Sequence, residues 1–136
     1  MIRRIVTSRI FLARPALKAT PYDAPVGQDL LDTLAAHRQE CVGMAANMIG
    51  SNKRIIVFVD EGKPVLMFNP HILEKEDEYQ TVEGCLSLPH QTEVTRYRRI
   101  KVKFQDEAFK WHERDYEGYT AQIIQHEVDH CEGIIV

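Results

Sequence analysis

The sequence lacks the features of exported, membrane-spanning or nucleic-acid-binding proteins. Its 136 residues contain no uninterrupted apolar run close to the roughly 18 residues that indicate a membrane-spanning helix. Lysine and arginine number 17 against 20 aspartates and glutamates, and no sustained basic run offers a surface for nucleic acid or anionic lipid. Arginines interrupt the apolar part of the opening segment, which argues against a signal peptide. We therefore expect a cytoplasmic protein without membrane or nucleic-acid partners.

Cysteine is also scarce, and its count is odd. The three cysteines are Cys41, Cys85 and Cys131. In a chain without export features, this number argues against a disulfide framework and leaves free thiols or metal ligands. The chain length fits one folded unit, so we expect residues 1–136 to form a single domain.

Strand patterns dominate the middle of the chain, and helical patterns lie on both sides of them. In order, the patterns predict an amphipathic helix over 27–40, a buried loop or short strand over 43–51, a hairpin of 54–60 and 64–69, a half-solvated strand over 92–106 and a helix over 120–133. Thr120 is the predicted N-cap of the last helix and Gly133 its predicted stop. This order favours an α+β fold, with mainly antiparallel β-structure around a central C-terminal helix, over alternating βαβ units.

The last predicted helix contains the segment "QHEVDH". His126 and His130 are four residues apart and therefore share one helix face, where two imidazoles can meet on one metal ion. Glu127 follows the first histidine directly and can act as a general base beside the ion. The alternative is a salt-bridged surface helix whose imidazoles bind no metal.

Two histidines are fewer than the three protein ligands that a catalytic ion usually has. Because the sequence ends at Val136, we expect the third ligand upstream of the helix. Cys85, in the segment "EGCLSLP", lies in a rigid extended setting from which a thiolate can point at the helix. The alternative is that Cys85 is a small buried apolar residue.

Taken together, "GMAANM", "EGCLS" and "QHEVDH" resemble the three signature motifs of the peptide deformylase family, in the family's order. The resemblance extends over residues 41–133, and the second and third motifs match fully. It implies a deformylase-like catalytic domain of the α+β class.

The resemblance also implies a metal centre and a substrate. Cys85, His126 and His130 would be the metal ligands, and Glu127 the general acid and base. The ion would be Fe²⁺, with Zn²⁺ or Ni²⁺ able to substitute. The substrate would be the formyl-methionyl end of a nascent peptide, which implies a transient encounter with the ribosome.

The first motif departs from the family pattern where an oxyanion donor is expected. The resemblance implies that the main-chain N–H of Leu86 and a glutamine side chain stabilise the oxyanion, but Met48 occupies the glutamine position. A thioether donates no hydrogen bond, and loss of one such donor typically lowers kcat by about 10² to 10³. We therefore expect reduced activity. On an extended segment, the neighbouring Asn47 would point to the opposite face and could not replace the glutamine.

For the substrate, the resemblance implies that Gly43 and Leu86 pair with an extended peptide main chain. Val42, Tyr119 and Ile123 would form the wall of the methionine pocket. The alternative for these three residues is an ordinary place in the core.

A charged set outside the ligands is expected to orient them. Arg96, Glu83 and Asp129 are the candidates, because metal-bound imidazoles usually donate their second N–H to an oxygen. The alternative for Arg96 and Asp129 is a solvated strand and helix face.

Three functions fit the sequence to different degrees. The first is a hydrolase that removes the formyl group from formyl-methionyl nascent peptides. The second is a catalytically weak or inactive paralogue with a structural metal that binds formylated peptides, an alternative motivated by Met48. The third, an endopeptidase of the H-E-x-x-H type, is the weakest because its third ligand would have to lie downstream.

Overall fold

The computed structural model describes residues 1–136 and contains one antiparallel sheet of five strands. The strands are β1 (Gly43–Ala45), β2 (Ile55–Asp60), β3 (Lys63–Cys85), β4 (Leu88–Gln105) and β5 (Trp111–Glu117). Their order in the sheet follows their order in the chain. The α-helices are α1 (Arg9–Leu12), α2 (Ala24–Ala36) and α3 (Gly118–Cys131). The predicted α+β class with antiparallel β-structure is confirmed.

The sheet is covered on both faces near β2. Ile56 belongs to the apolar cluster that contains Ile124 of α3, whereas Ile55 and Val57 belong to the cluster that contains Leu30 of α2. Successive side chains of a strand point to opposite faces, so α2 and α3 cover opposite sides of β2. This burial explains the continuous apolar run "IIVFV" in place of strict alternation.

The hairpin between β2 and β3 matches the prediction. Glu61 and Gly62 both have left-handed backbone angles, with φ of 50° and 80°, in the two-residue turn between the strands. Positive φ at both central residues gives the turn the twist that adjacent antiparallel strands require.

β3 extends well beyond the segment that sequence patterns predicted. It continues to Cys85, and from His71 onward it pairs with β4 alone, so its other edge is free. The pattern failed because this half of β3 is mostly exposed on both faces and carries polar residues in place of alternating apolar ones. β5 was missed for the same reason, since nearly all of its side chains are exposed.

The helix α3 lies against β1, β2 and β4, and most of its side chains are buried. The predicted N-cap was wrong: the helix begins at Gly118 after Glu117, and the Thr120 hydroxyl donates to Asp60 Oδ1 at 3.2 Å. The predicted stop at Gly133 is confirmed by its φ of 76° and by the bond from its N–H to His130 O at 3.1 Å. None of the helices is long and apolar enough to cross a membrane.

The segment 43–51 is only partly the predicted loop or strand. β1 is a three-residue strand at the edge of the sheet, and residues Ala46–Ile49 form a 3₁₀ turn. This turn places successive side chains about 120° apart. The expectation that Asn47 and Met48 point in opposite directions along an extended chain therefore had the wrong local geometry.

Candidate metal centre

Three side chains converge where the β3–β4 hairpin reaches α3. His130 Nε2 lies 3.2 Å from His126 Nε2 and 3.4 Å from Cys85 Sγ. All three ligand atoms lie within 4.8 Å of one another. The helix supplies two of them because residues four apart share a face, and the far end of β3 supplies the third.

These atoms fit a divalent transition-metal ion. Tetrahedral nitrogen and sulfur ligands at about 2.0–2.3 Å from an ion are about 3.3–3.6 Å from each other, close to the two shortest separations seen here. Thiolate and imidazole are also the donor types that suit zinc, iron and nickel. Three protein ligands leave a coordination position open for a reactant, as in catalytic sites.

The carboxylate of Glu83 holds the ring of one candidate ligand, His126. Its Oε1 lies 2.7 Å from His126 Nδ1, so His126 Nε2 is the nitrogen that faces the other ligands. The Arg96 guanidinium donates to both Glu83 oxygens, at 2.9 and 2.7 Å, and also to Asp129 at 2.7 Å. Gln122 Nε2 donates to Glu83 Oε2 at 2.9 Å. In the expected charged set, Arg96 therefore contacts both Glu83 and Asp129.

These contacts keep Glu83 ionised. Burial alone would raise the pKa of this carboxyl, but hydrogen bonds from His126, Arg96 and Gln122 lower the pKa to about 2. An ionised oxygen is the strongest acceptor for an imidazole N–H, so the carboxylate holds the ring of His126 in one orientation.

The two ligand imidazoles have opposite electrostatic environments. Burial disfavours charge on His126, but the Cys85 and Glu83 side chains favour it and raise its pKa to about 10. Burial, together with the positive charge of His126, lowers the pKa of His130 to about 3. The two rings therefore do not become positively charged together, as expected when both nitrogens point at one place.

Glu127 has a different environment from Glu83. It is only 4% exposed, and its Oε1 has no hydrogen-bond partner. Burial raises the pKa of this carboxyl to about 7. Gly43 lies directly opposite, since a Cβ atom built there would be 2.9 Å from Glu127 Oε2. A carboxyl without a partner beside a metal ligand is available for proton exchange with a reactant.

A cavity of about 530 Å³ opens beside the ligands. It is lined by nearly all the residues that the sequence singled out: Val42, Gly43, Met48, Cys85, Leu86, Tyr119, Ile123, His126 and Glu127. His130 is completely buried and does not line the cavity. Of the expected methionine-pocket wall, Ile123 is buried, Val42 is half-buried and Tyr119 is exposed.

Met48 and Asn47 occupy different surroundings in the 3₁₀ turn. The Met48 side chain is 2% exposed, packs in the α2 cluster and reaches the cavity. Asn47 points to α3 instead, where its Nδ2 donates to His130 O at 3.0 Å. Asn47 therefore points away from the cavity, as expected, although a bond to α3 and not an extended chain is the reason.

Sequence reasoning assigned no site role to some cavity residues. They are Glu40, Cys41, Val82, Gly84 and Gln122. The helical spacing does place Gln122 on the same face as His126, one turn before it, but does not give it a role. No pattern would have identified Val82, whose place depends on where the β3–β4 hairpin meets the helix.

Two free strand edges flank the cavity. β1 pairs only with β2, and the last part of β3 pairs only with β4. Gly43 of β1 and Gly84 of β3 both line the cavity. Free edges present unpaired main-chain N–H and C=O groups, which is the arrangement that binds an extended peptide.

Comparison of the sequence with known proteins identifies peptide deformylases as relatives of this chain. A sequence model described as polypeptide deformylase matches residues 10–136. A peptide deformylase from Clostridium beijerinckii is 48% identical over 136 residues, which covers 100% of both chains.

Comparison with solved structures also identifies peptide deformylases. A peptide deformylase from Thermus thermophilus superposes with a TM-score of 0.88 at 33% identity, covering 99% of this chain and 83% of that one. A Met-Ala-Ser-bound class I type b peptide deformylase from Acinetobacter baumannii gives a TM-score of 0.88 at 26% identity, covering 99% of this chain and 97% of that one. With a sequence match along almost its whole length and a relative that it matches from end to end, the chain belongs to the peptide deformylase family.

Proposed function

We propose that this chain is a metal-dependent hydrolase that removes the formyl group from the N-terminal formyl-methionine of nascent peptides. The observation that carries the proposal is the convergence of Cys85, His126 and His130 beside a buried carboxyl, Glu127, that has an unpartnered oxygen. Membership of the peptide deformylase family supports the same reaction.

Cys85, His126 and His130 would hold Fe²⁺, with Zn²⁺ or Ni²⁺ able to substitute, because thiolate and imidazole suit all three ions. When bound, the ion supplies Lewis acidity at the reacting carbonyl. Glu83 and Arg96 position the ring of His126 through the contacts described above, so that its Nε2 and not its Nδ1 serves as ligand.

Glu127 would move the proton in this reaction. It takes a proton from the water that attacks the formyl carbon and delivers it to the nitrogen as the C–N bond breaks, which releases formate and a free amine. Its position beside the ligands and its unpartnered oxygen support this role. The main-chain N–H of Leu86, next to the ligand Cys85, would stabilise the oxyanion.

The substrate would lie as an extended strand between the two free edges. Gly43 on β1 and the main chain around Leu86 would pair with the peptide, and the Met-Ala-Ser-bound Acinetobacter baumannii relative supports a peptide ligand of this kind. Val42, Tyr119 and Ile123 would form the wall around the first side chain. Met48 would form the cavity wall without donating a hydrogen bond.

Nascent formylated peptides are made on ribosomes, so this function implies a cytoplasmic location and transient encounter with the ribosome. Both are part of the proposal.

The direct experiment measures formate release from formyl-Met-Ala-Ser by iron-loaded protein prepared without oxygen, since a thiolate-bound ferrous site is open to oxidation. We expect turnover by the wild type. Glu127→Ala should keep its metal and lose turnover, whereas Cys85→Ala should lose the metal. A metal-loaded wild type with no formate above background would favour the inactive, peptide-binding paralogue. Metal retained by Cys85→Ala would contradict the ligand assignment.

A further inference from the structure

We propose that Gln122 determines specificity for the first side chain of the substrate and lets this chain accept formylated peptides whose first methionine is oxidised to the sulfoxide. The proposal rests on the proposed function, because it assumes that the first side chain enters the cavity beside Tyr119 and Ile123.

The side chain of Gln122 lies in this cavity and is held at both ends. It belongs to α3, one turn before the ligand His126, and lines the cavity together with Tyr119 and Ile123. Its Nε2 donates to Glu83 Oε2 at 2.9 Å, and its Oε1 accepts from the Tyr79 hydroxyl at 3.3 Å. A glutamine with both ends bonded has a fixed amide plane, unlike a glutamine that is free in solvent.

The fixed amide keeps one hydrogen-bond donor available. A primary amide carries two N–H groups. Gln122 gives one of them to Glu83, and the other has no partner in the protein. Val42 and Ile123 also line the cavity, together with polar residues such as Glu40 and Tyr119. The cavity therefore combines apolar side chains, suited to the methylene groups of a methionine, with the free N–H of Gln122.

This donor distinguishes the two oxidation states of methionine. The thioether sulfur is a weak acceptor, so the N–H gives little preference for reduced methionine and does not exclude it. Oxidation makes the same side chain polar and chiral. An apolar pocket would take the sulfoxide oxygen out of water and leave it without a hydrogen-bond partner, which is unfavourable. In this cavity, the free N–H of Gln122 can bond to it.

The chirality of the sulfoxide leads to a second expectation, which concerns its two epimers. The two sulfoxide epimers place the oxygen on opposite sides of the sulfur, and an amide fixed by Glu83 and Tyr79 can approach only one side. We therefore expect the two epimers to be processed at different rates, and the preference to depend on Gln122.

The experiment compares kcat/KM for formyl-Met-Ala-Ser and for its two separated sulfoxide epimers, using metal-loaded protein. We expect the better epimer to fall within about tenfold of the reduced peptide in the wild type. In Gln122→Met, which has a similar length and no donor, the ratio of sulfoxide to reduced substrate should fall by a further tenfold or more, and the epimer preference should disappear. Ratios between substrates cancel any general loss of activity caused by the lost bond to Glu83.

A second readout does not depend on turnover. The dissociation constants of the products Met-Ala-Ser and its better sulfoxide epimer, measured by calorimetry, should show the same change of ratio in Gln122→Met. Gln122→Leu gives a second donor-free variant if the first is unstable. Gln80→Leu makes the same change on the exposed part of the β3–β4 hairpin and should leave every ratio unchanged.

The possible failures are distinguishable. If the wild type releases no formate from any of these peptides, the proposed function is wrong. If it processes the reduced peptide but the ratios are the same in Gln122→Met, or if Gln80→Leu changes them equally, Gln122 does not determine this specificity. Rejection of both epimers by the wild type, by a factor of a thousand or more, would also overturn the inference.

Discussion

Two glutamates beside the candidate metal site have opposite hydrogen-bond environments. Glu83 receives hydrogen bonds on both oxygens and is held ionised, whereas Glu127 is equally buried and has an oxygen without a partner. Glu83, which accepts hydrogen bonds on both oxygens, is suited to hold an imidazole in place. Glu127, which has an oxygen without a partner, is suited to exchange a proton. Residue type alone does not separate these roles; the number of donors that surround each carboxylate does.

Met48 gives the clearest prediction at this scale. Met48→Gln should raise kcat, because an amide N–H would then reach the cavity wall where the oxyanion develops, and such a donor is worth up to about 10² to 10³ in rate. Steady-state formate release measures the effect. Met48→Leu keeps a donor-free side chain of similar size and should give no gain.

If a folded, metal-loaded Met48→Gln variant had no higher kcat, the absence of a glutamine at this position would not be what limits the rate. Because the side chain is almost fully buried, its thermal unfolding should be recorded beside the kinetics.

At the scale of elements, the close approach of β1 to α3 determines where Glu127 can lie. A Cβ atom at Gly43 would be 2.8 Å from Ile123 Cγ2 and 2.9 Å from Glu127 Oε2, shorter than real contacts of this kind. Gly43 is therefore needed for the space it leaves as well as for its proposed main-chain pairing. The strand can be this near the helix only because the residue has no side chain.

We expect Gly43→Ala to keep the fold and the metal but to lose activity. The added methyl group would push the Glu127 carboxylate away from the reacting centre, and misplacement by about 1 Å can cost 10²-fold in rate. The measurement is kcat/KM together with metal content. Gly62→Ala is the control: its backbone is strained by a φ of 80°, but no atom lies near and the turn is not part of the cavity.

If Gly43→Ala and Gly62→Ala lost activity to the same extent, reduced stability and not displacement of Glu127 would explain both. Full activity in Gly43→Ala would mean that Glu127 and Ile123 have room to move.

At the scale of the whole molecule, the proposed metal site joins two parts of the chain that are distant in sequence. The proposed ligand Cys85 is at the end of a long hairpin arm, and the two histidines are on the last helix. An ion bound by both would connect the arm directly to the helix. Asn47 adds a second connection from the β1 segment, through its bond to His130 O.

Removal of the metal should therefore lower the stability of the whole fold. An ion that binds only the folded state adds about 2.7 kcal/mol when its free concentration is 100 times its dissociation constant. For a chain of this size, we expect a fall in Tm of roughly 8 °C on treatment with a chelator. Differential scanning calorimetry measures it.

Cys85→Ala, which lacks one ligand, should unfold at a temperature that the chelator does not change. If the chelator lowered the Tm of the wild type and of Cys85→Ala equally, the predicted metal site would be wrong. If it left the Tm of the wild type unchanged, an ion would not join the hairpin arm to the helix.

Much of the arrangement of the candidate site was predictable because it depends on local spacing. Four residues along a helix fix the relation of His126 to His130, and the adjacent position of Glu127 follows from the same geometry. The class of fold was predictable from the buried, strongly periodic elements. The exposed strand β5 and the second half of β3 were not, because a strand with both faces in solvent leaves no alternation to detect.

The sequence by itself therefore determined the α+β class, the family and the choice of candidate ligands, since each follows from residue identity at short range. Only the tertiary structure decided that Cys85 reaches the histidines, that Asn47 bonds to α3, and that Gln122 lies fixed in the cavity wall. Those relations join residues distant along the chain. They depend on how the β3–β4 hairpin, the 3₁₀ turn and the last helix pack together, which no short-range pattern encodes.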